Sequence, residues 1–419
     1  MSSVRRRPRN RKAQIARAAA EAFGESGYHA VSMDDIATRV GISAAALYRH
    51  AAGKYQLFRD AVLALGTQLQ DCTAFVEEPP NALEPAQLRD QILTALIDTA
   101  LANRSSGGLY RRQARYLVDD DHVLLMDQLK SVNRRIQVPL RELRPGLAAP
   151  QRWTLSAAAL SVIGSVADHH AQLGHPQLRE LLLGRAATVL NAELPQGVSR
   201  ETVVSAAEVS AGRYEDVLRQ SLILFHRRGY HQTSVEDIAG AVGMPASGIY
   251  RYFSGKADIL AASFRRAADR VSADVANTLA AESDPGQALD RLIEAYIARS
   301  FESPELAHVY HTERINLPPA DDKVLRNIQR ATVEAWAQLL TAVRPQFGVA
   351  EARIVVHAGF AVVVDIGRLV GFEDAGGASQ PRAWVRTLMT ATLLGGEMGH
   401  GGVAEEPTDT AGVSVDLSA

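Results

Sequence analysis

The chain has 419 residues, of which 47% are hydrophobic and 22% charged, and its formal net charge is −2. This composition is normal for a soluble globular protein, and no apolar run approaches the ~20 residues that would span a bilayer. The single cysteine, Cys72, excludes an internal disulfide framework and fits a reducing cytoplasm. A prior of ~150 residues per domain predicts two to four domains.

The first 56 residues are basic, although the whole chain is nearly neutral. They contain ten basic residues and four acidic ones, a net charge of about +6. Arg5, Arg6 and Arg7 lie in the most basic stretch. A local excess of this kind is typical of a DNA-binding module.

The first predicted elements form a helix-turn-helix. Apolar residues recur at three- and four-residue spacings from Ile15 to Phe23, which predicts a helix that ends near Gly27 with a left-handed cap. Ser32 is placed to cap a second helix that ends at about Val40, and Gly41 makes the tight turn. Ser43 would cap a short third helix that reaches about His50.

The same segment occurs twice. The sequence from Gly27 to Lys54 aligns without a gap with that from Gly229 to Lys256, and Arg144-Pro145 corresponds to Arg344-Pro345. Landmarks at a nearly constant offset indicate duplication of a unit of about 200 residues. In the second copy Ser234 is the cap, Val235–Val242 the second helix, and Pro245–Tyr252 the third.

The remaining segments predict long amphipathic helices. In the first unit these are 91–102, 121–143 and 155–172. In the second unit they are 287–300, 323–343 and 350–369.

These motifs resemble the N-terminal domain of the TetR family of transcriptional regulators. The second copy follows the family pattern through Ile249-Tyr-Arg-Tyr-Phe-Ser-Gly-Lys256, whereas the first has His50 for a Tyr and Ala51 where an aromatic residue is usual. The sequence around Tyr110 is similar to that of actinobacterial regulators of lipid and acyl-CoA metabolism, and the duplication is similar to the double-TetR repressors of mycobacteria that act on a lipid-transport operon.

The resemblance implies an all-α fold with two tandem TetR-like units, each a three-helix helix-turn-helix domain followed by a helical ligand-binding domain. The expected boundaries are an arm and first DNA-binding domain at 1–62, a ligand-binding domain at 63–195, a linker at 196–212, a second DNA-binding domain at 213–264, a second ligand-binding domain at 265–400, and a disordered tail at 401–419.

The third helix of each copy is expected to enter the major groove. In the first copy the residues at the base edges are Ser43, Ala44, Ala45 and Ala46, whose small apolar surface suits thymine methyl groups, and specificity is expected to rest on Arg49 and on DNA shape. In the second copy they are Pro245, Ala246, Ser247 and Gly248, and Arg251 is also expected to contact DNA. Because the two surfaces differ, we expect unequal half-sites.

Other residues are expected to contact phosphates or the minor groove. Family positions that hold phosphates correspond to Tyr48, His50, Lys54, Tyr250, Tyr252 and Lys256. Ser32 and Ser234 begin helices whose amides can face the DNA backbone. Arg5, Arg6 and Arg7 would lie in the adjacent minor groove.

The resemblance also implies a hydrophobic small-molecule effector, such as a fatty acyl-CoA or a sterol-like compound, bound between helices. Family positions suggest Tyr110, Arg115, Tyr116, Tyr310 and Arg314 as its contacts, although core or salt-bridge roles are the commoner outcome for such residues. No ligand set supports a zinc site near His308 and His311, and no catalytic motif appears, so we expect no cofactor, no metal and no enzymatic activity.

Two arrangements follow. In the first, one chain forms an intramolecular pseudo-dimer that represses transcription from an asymmetric operator and is released by the effector. In the second, one unit binds DNA and the other serves as a sensor or as the dimerisation module of a homodimer. In both, the protein is bacterial, cytoplasmic and associated with the nucleoid, and it does not use a membrane.

Overall fold

The computed structural model describes residues 11–77, 83–106, 108–196, 212–372 and 379–395, and the regular elements within these ranges are all helices. The expected all-α tandem fold is thus confirmed. Arg5, Arg6 and Arg7, nearly all of the expected linker at 196–212, and the expected tail at 401–419 lie outside the described residues. No helix in the described ranges has the length and apolar character needed to cross a membrane.

The first unit runs from α1 to α9. Its helices are α1 (Arg11–Ala30), α2 (Met33–Val40), α3 (Ala44–Leu47), α4 (Lys54–Asp71), α5 (Pro85–Ala102), α6 (Gly108–Gln113), α7 (Asp119–Leu143), α8 (Ala149–Gly164) and α9 (His175–Leu190).

The second unit repeats this order from α10 to α18. Its helices are α10 (Arg213–Arg228), α11 (Val235–Val242), α12 (Ala246–Ile249), α13 (Lys256–Ala281), α14 (Pro285–Glu302), α15 (Pro304–Glu313), α16 (Pro319–Val343), α17 (Val349–Val370) and α18 (Ser379–Leu394). A short 3-10 turn at 114–116 precedes α7, and an equivalent turn at 314–316 precedes α16.

The turns of the two helix-turn-helix segments depend on glycine. Gly41 and Gly243 adopt the left-handed conformation, with φ of 70° and 67°, and close α2 and α11. The glycine at the end of the first helix differs from the expected left-handed cap: Gly27 has φ 78° and ψ 160°, and Gly229 has φ 91° and ψ 155°. This region of backbone space is essentially restricted to glycine, so the residue is required for a sharper change of direction than a helical cap makes.

Among the described residues, the buried apolar side chains form three cores. One lies within the first helix-turn-helix domain and includes Phe23, Leu47 and Phe58, and a second lies within the other one and includes Phe225 and Phe264. The third and largest core contains side chains from α5 and α7 to α9 of the first unit together with α14 and α16 to α18 of the second. The two units therefore share one hydrophobic interior.

The shared core is formed where the last two helices of each unit meet. Helix α8 packs against α17, and α9 packs against α18. Polar contacts join the same helices to α6, since Arg111 and Ser161 both donate to one carboxylate oxygen of Asp365, at 2.7 and 2.6 Å. Helices α8, α9, α17 and α18 thus form the interface between the two units.

Candidate nucleic-acid interface

The first recognition segment is held by a serine cap and leaves three consecutive polar side chains in solvent. Ser43 Oγ accepts a hydrogen bond from Ala46 N at 3.2 Å, and the buried Leu47 anchors α3 to the domain core. Tyr48, Arg49 and His50 are exposed, with 55% of the Tyr48 surface accessible. Ala44 is half-buried and Ala45 is exposed. The exposed surface of this segment is therefore small and apolar at Ala44 and Ala45, and basic and aromatic from Tyr48 to His50.

The second recognition segment has the same shape and different chemistry. Pro245 precedes α12 and supplies no side-chain cap, and Ile249 takes the anchoring role of Leu47. Tyr250 is as exposed as Tyr48, at 55%, and Tyr252 is 45% exposed. Pro245, Ser247 and Arg251 are exposed and Ala246 is half-buried. The structure thus places the expected contact residues of both copies together on solvent-facing surfaces.

Ser32 and Ser234 form matching capping boxes. Ser32 Oγ accepts from Asp35 N at 3.1 Å, while Ser32 N donates to the Asp35 carboxylate at 2.8 Å. Ser234 and Asp237 repeat this pair at 3.0 and 2.8 Å. Hydrogen bonds from the serine hold the pKa of each aspartate below its usual value. These side chains fix the start of the second helix, which leaves the remaining free amides of the first turn as the groups able to face a phosphate.

Lys54 and Lys256 lie at the starts of α4 and α13. Lys54 contacts the last residues of α1, and Lys256 contacts Tyr230, two residues after the end of α10. Lys54 Nζ donates to His29 O at 3.3 Å and lies 4.7 Å from the centre of the Tyr28 ring. Lys256 Nζ donates to Tyr230 O at 2.7 Å and lies 4.4 Å from that ring. Partial burial lowers the pKa of both lysines. Each ammonium therefore joins the start of its own helix to the backbone at or just after the end of the first helix, a role that the sequence pattern did not indicate.

Two arginines that sequence reasoning did not assign also have matched roles. Arg11 donates to Val40 O at 3.2 Å, and Arg213 donates to Val242 O at 3.1 Å. Each guanidinium thus satisfies a carbonyl at the end of the second helix, where a positive charge is favoured. These two arginines are equivalent in the repeat, 202 positions apart, so the alignment of the two copies could have indicated that they share a role.

The two DNA-binding domains contact each other at equivalent residues. The rings of His29 and His231 lie 4.0 Å apart, centre to centre. Burial, together with the neighbouring His231 and Lys54, lowers the pKa of His29 to about 4. The same residue of each copy therefore meets its counterpart at this contact.

The five expected effector contacts are divided among four different surroundings. Tyr110 borders a cleft of about 40 Å³ with Leu65 and Leu69, and Tyr116 borders a second cavity of about 280 Å³ between the two DNA-binding domains. Arg314 and Tyr310 contact each other at 3.0 Å, and Arg314 also pairs with Asp322 at 2.9 Å. Arg115 pairs with the fully buried Glu313 at 2.6 Å. The structure does not bring these five side chains into one pocket.

A charged cluster at the interface between the units was not anticipated from the sequence. The Arg111 guanidinium lies between Asp168 at 3.1 Å and Asp365 at 2.7 Å, and the His311 ring lies 3.9 Å from Asp168. Burial alone would raise the pKa of Asp365, but Arg111 holds it below its usual value. Within the described residues, no three His, Cys, Asp or Glu side chains are grouped in a way that could hold a metal ion.

Comparisons with known proteins match the two helix-turn-helix domains. The model of the family described as bacterial regulatory proteins, tetR family, matches residues 15–61 and 217–263. The HTH-type transcriptional activator FasR of Mycolicibacterium smegmatis is 46% identical over 54 residues, which is 13% of this chain and 25% of that protein. The chain therefore matches only about a quarter of the length of this relative.

Solved structures of TetR regulators are also similar to this chain. A TetR-family regulator from Bordetella parapertussis is 21% identical, with a TM-score of 0.39, and the match covers 43% of this chain and 94% of the other. PfmR from Thermus thermophilus is 22% identical with a TM-score of 0.38, and the match covers 46% and 100% of the two chains.

The family model matches twice, at the segments whose capped helices, left-handed turns and exposed recognition surfaces are equivalent. These two segments of the chain, 15–61 and 217–263, are therefore two helix-turn-helix domains of the tetR family type, arranged in tandem.

Proposed function

We propose that a single chain binds an operator with both of its DNA-binding domains, as an intramolecular pseudo-dimer, and represses transcription there. The observation that carries this proposal is the hydrophobic core shared by the two units, with α8 packed on α17 and α9 on α18. A surface already buried within one chain is not free to pair with a second copy. The contact between His29 and His231 places the two domains side by side.

The operator is expected to have unequal half-sites. The first recognition segment presents Ala45 beside Arg49, whereas the second presents Pro245 and Ser247 beside Arg251. Small apolar side chains favour contact with thymine methyl groups, and a serine hydroxyl can pair with either type of base edge. The symmetric operator of an ordinary homodimer would satisfy only one of these surfaces.

The effector is proposed to be an apolar small molecule, such as a fatty acyl-CoA or a sterol-like compound, that enters the first unit beside Tyr110. The cleft there is lined mainly by Leu65, Leu69, Ala100 and Val166, and its present volume of about 40 Å³ requires that it widen around a ligand. Widening would displace the next residue, Arg111, from Asp365, its carboxylate partner in the second unit. A ligand that favours this displaced state weakens DNA binding by its differential affinity alone.

Native mass spectrometry with duplex DNA from the gene's own upstream region tests the pseudo-dimer. We expect one chain per duplex, with binding weakened by Tyr48→Ala or Tyr250→Ala and lost in the double variant. The two tyrosines are equally exposed and so are matched, and Val123→Ala, at a 57% exposed position on α7, is the control. A steep fall in affinity with rising salt should accompany binding, because several phosphates are contacted.

A different result would identify the second arrangement. Two chains per duplex, with no effect of Tyr250→Ala, would make the second unit a sensor or assembly module. The direction of regulation needs its own test, since FasR of M. smegmatis is named an activator. Transcription in vitro from the same DNA should fall when the protein is added, and a rise would replace repression with activation.

A further inference from the structure

Each DNA-binding domain is contacted by the opposite unit at the glycine that ends its first helix. A Cβ added at Gly229 would lie 3.4 Å from Arg115 Nη2, and a Cβ added at Gly27 would lie 3.1 Å from Ile315 Cδ1. Arg115 and Ile315 are equivalent residues of the repeat, 200 positions apart. The pseudo-dimer thus has two crossed contacts at the same place, one for each domain.

The contact on the second domain is charged and has several partners. Arg115 Nη1 pairs with the buried Glu313 carboxylate at 2.6 Å, and Arg115 Nη2 donates to His226 O at 3.2 Å and Phe225 O at 3.4 Å. These carbonyls are at the end of α10, where a cation is stabilised by the helix dipole. Glu313 in turn accepts from Tyr230 N at 3.4 Å.

The contact on the first domain has no charge. Gln113 replaces Glu313 and accepts from Tyr28 N at 3.1 Å, and Ile315 replaces Arg115. Ile315 is 39% exposed, whereas the Arg115 side chain is only 19% exposed. An apolar contact of this size is non-directional and partly solvated, so it restrains the domain less than a buried ion pair with further hydrogen bonds does.

We propose that the two DNA-binding domains are held unequally across the pseudo-dimer: Arg115 of the first unit fixes the second domain in place, and the first domain is the one that shifts to fit the spacing of the half-sites. Arg115 is therefore a positioning residue that touches no DNA. The consequence for operator choice rests on the proposed function, but the difference in mobility does not.

Distances between spin labels in the DNA-free protein test the mobility directly. In a Cys72→Ser background, one pair joins exposed Lys130 on α7 to exposed Glu236 in the second domain. The equivalent pair joins Arg330 on α16 to Asp34 in the first domain. All four positions are changed to cysteine for labelling. We expect a narrow distance distribution for the first pair and a broader one for the second.

Exchanging the two contacts provides the matched variants. Arg115→Ile with Glu313→Gln gives the second domain the contact of the first without leaving an unpaired buried charge, and should broaden the Lys130–Glu236 distribution only. Ile315→Arg with Gln113→Glu should narrow the Arg330–Asp34 distribution. Unchanged thermal melting of both double variants would exclude general loss of folding as the cause.

Equal widths in the parent protein, or an Arg115→Ile/Glu313→Gln variant that leaves the first width unchanged, would overturn the proposal. With upstream DNA, the same variant should lose about tenfold in affinity, because fixing both domains on binding costs conformational entropy. Failure of the parent protein to bind that DNA would count against the proposed function and would leave the label distances as the test of Arg115.

Discussion

The two units have the same helix order but fill their large helical domains differently. Tyr296, Trp336 and Phe360 pack together in the second unit, with Tyr296 stacked on Phe360 at 4.4 Å and Trp336 edge-on to Phe360 at 5.1 Å. The repeat places Leu96, Ile136 and Leu160 at the same positions of the first unit. The comparison teaches that duplicated units keep a backbone while their interiors diverge, because each side chain need match only its own neighbours.

The interface between the units diverges in the same way. Asp365 and His357 on α17 contact Arg111 and His169 of the first unit. At the equivalent positions, Asp365 is replaced by Ser165 and His357 by Ala157. A homodimer would have to use each contact twice, whereas the fused chain uses a charged and histidine-rich set on one side only. Fusion therefore allows the two halves of one interface to evolve separately.

The largest effect is expected from the aromatic core. Trp336→Ala should lower the free energy of unfolding by about 4 kcal/mol, because Trp336 is 1% exposed and the cavity would not close. Ile136→Ala, the matched change in the first unit, should cost about 3 kcal/mol. Urea denaturation measures both.

Since the two side chains belong to one core, each variant should still unfold in a single transition. Two separate transitions, with each variant moving only one, would show that the units fold independently and would count against the shared interior as a cooperative unit.

The next effect concerns the charged cluster. Asp365→Ala should destabilise the protein by about 3 kcal/mol, because Arg111 keeps Asp168 but loses its shorter ion pair in a buried site. Ser165→Ala, at the equivalent position, should cost about 1 kcal/mol, since it removes one hydrogen bond to Val162 O. Urea denaturation measures both variants. Equal losses of unfolding free energy would show that the two equivalent positions contribute equally and that the interface is not asymmetric there.

A pH effect of intermediate size is expected from His357. Its ring stacks on His169 at 4.4 Å, and burial lowers its pKa to about 4, although Asp168 acts in the opposite direction. The folded protein therefore holds this ring neutral while the unfolded chain takes up a proton near pH 6.5. Stability is present above that pH and is lost as the pH falls toward 4.

For His357 alone, the free energy of unfolding should fall by about 2 kcal/mol between pH 7 and pH 5. His357→Ala, which installs the residue of the first unit, should reduce the difference between the unfolding free energies at the two pH values by that amount. The exposed His175→Ala is the control. An undiminished pH dependence in His357→Ala would mean that the His357 ring has the same pKa in the folded protein as in the unfolded chain.

Sequence reasoning reached the features that depend on near neighbours in the chain. Ser32, Gly41 and Ser43 act on residues within a few positions, and these two caps and this turn are present as predicted, whereas Gly27 does not form the predicted left-handed cap. The predicted helices are present too, although 155–172 is shorter as α8 and ends at Gly164 before a 3-10 turn at 165–167. The repeat indicated the tandem architecture, because a duplicated pattern needs no knowledge of packing.

Contacts between the units could not be obtained in this way. Arg115 and Glu313 are 198 residues apart, and their pairing depends on how two folded units dock. The family pattern suggested an effector contact for Arg115 and a phosphate contact for Lys54, and both remain predictions. The structure adds that each side chain already has protein partners, which local patterns do not contain.

The smallest effect concerns the caps of the two recognition helices. Ser43→Ala removes the hydrogen bond from Ala46 N and should cost about 1 kcal/mol locally. Pro245→Ser offers the second helix the cap that it lacks and should stabilise that helix by a few tenths of a kcal/mol. Amide hydrogen exchange checks both changes, because it reports local opening of the helix. Protection of the Ala46 amide should fall in the first variant, and protection of the Gly248 amide should rise in the second.

If the caps are the reason that one recognition helix is more rigid than the other, each variant should bring the amide protection of the two helices closer together. A change at the opposite domain in either variant would instead mean that cap strength is transmitted across the contact between His29 and His231.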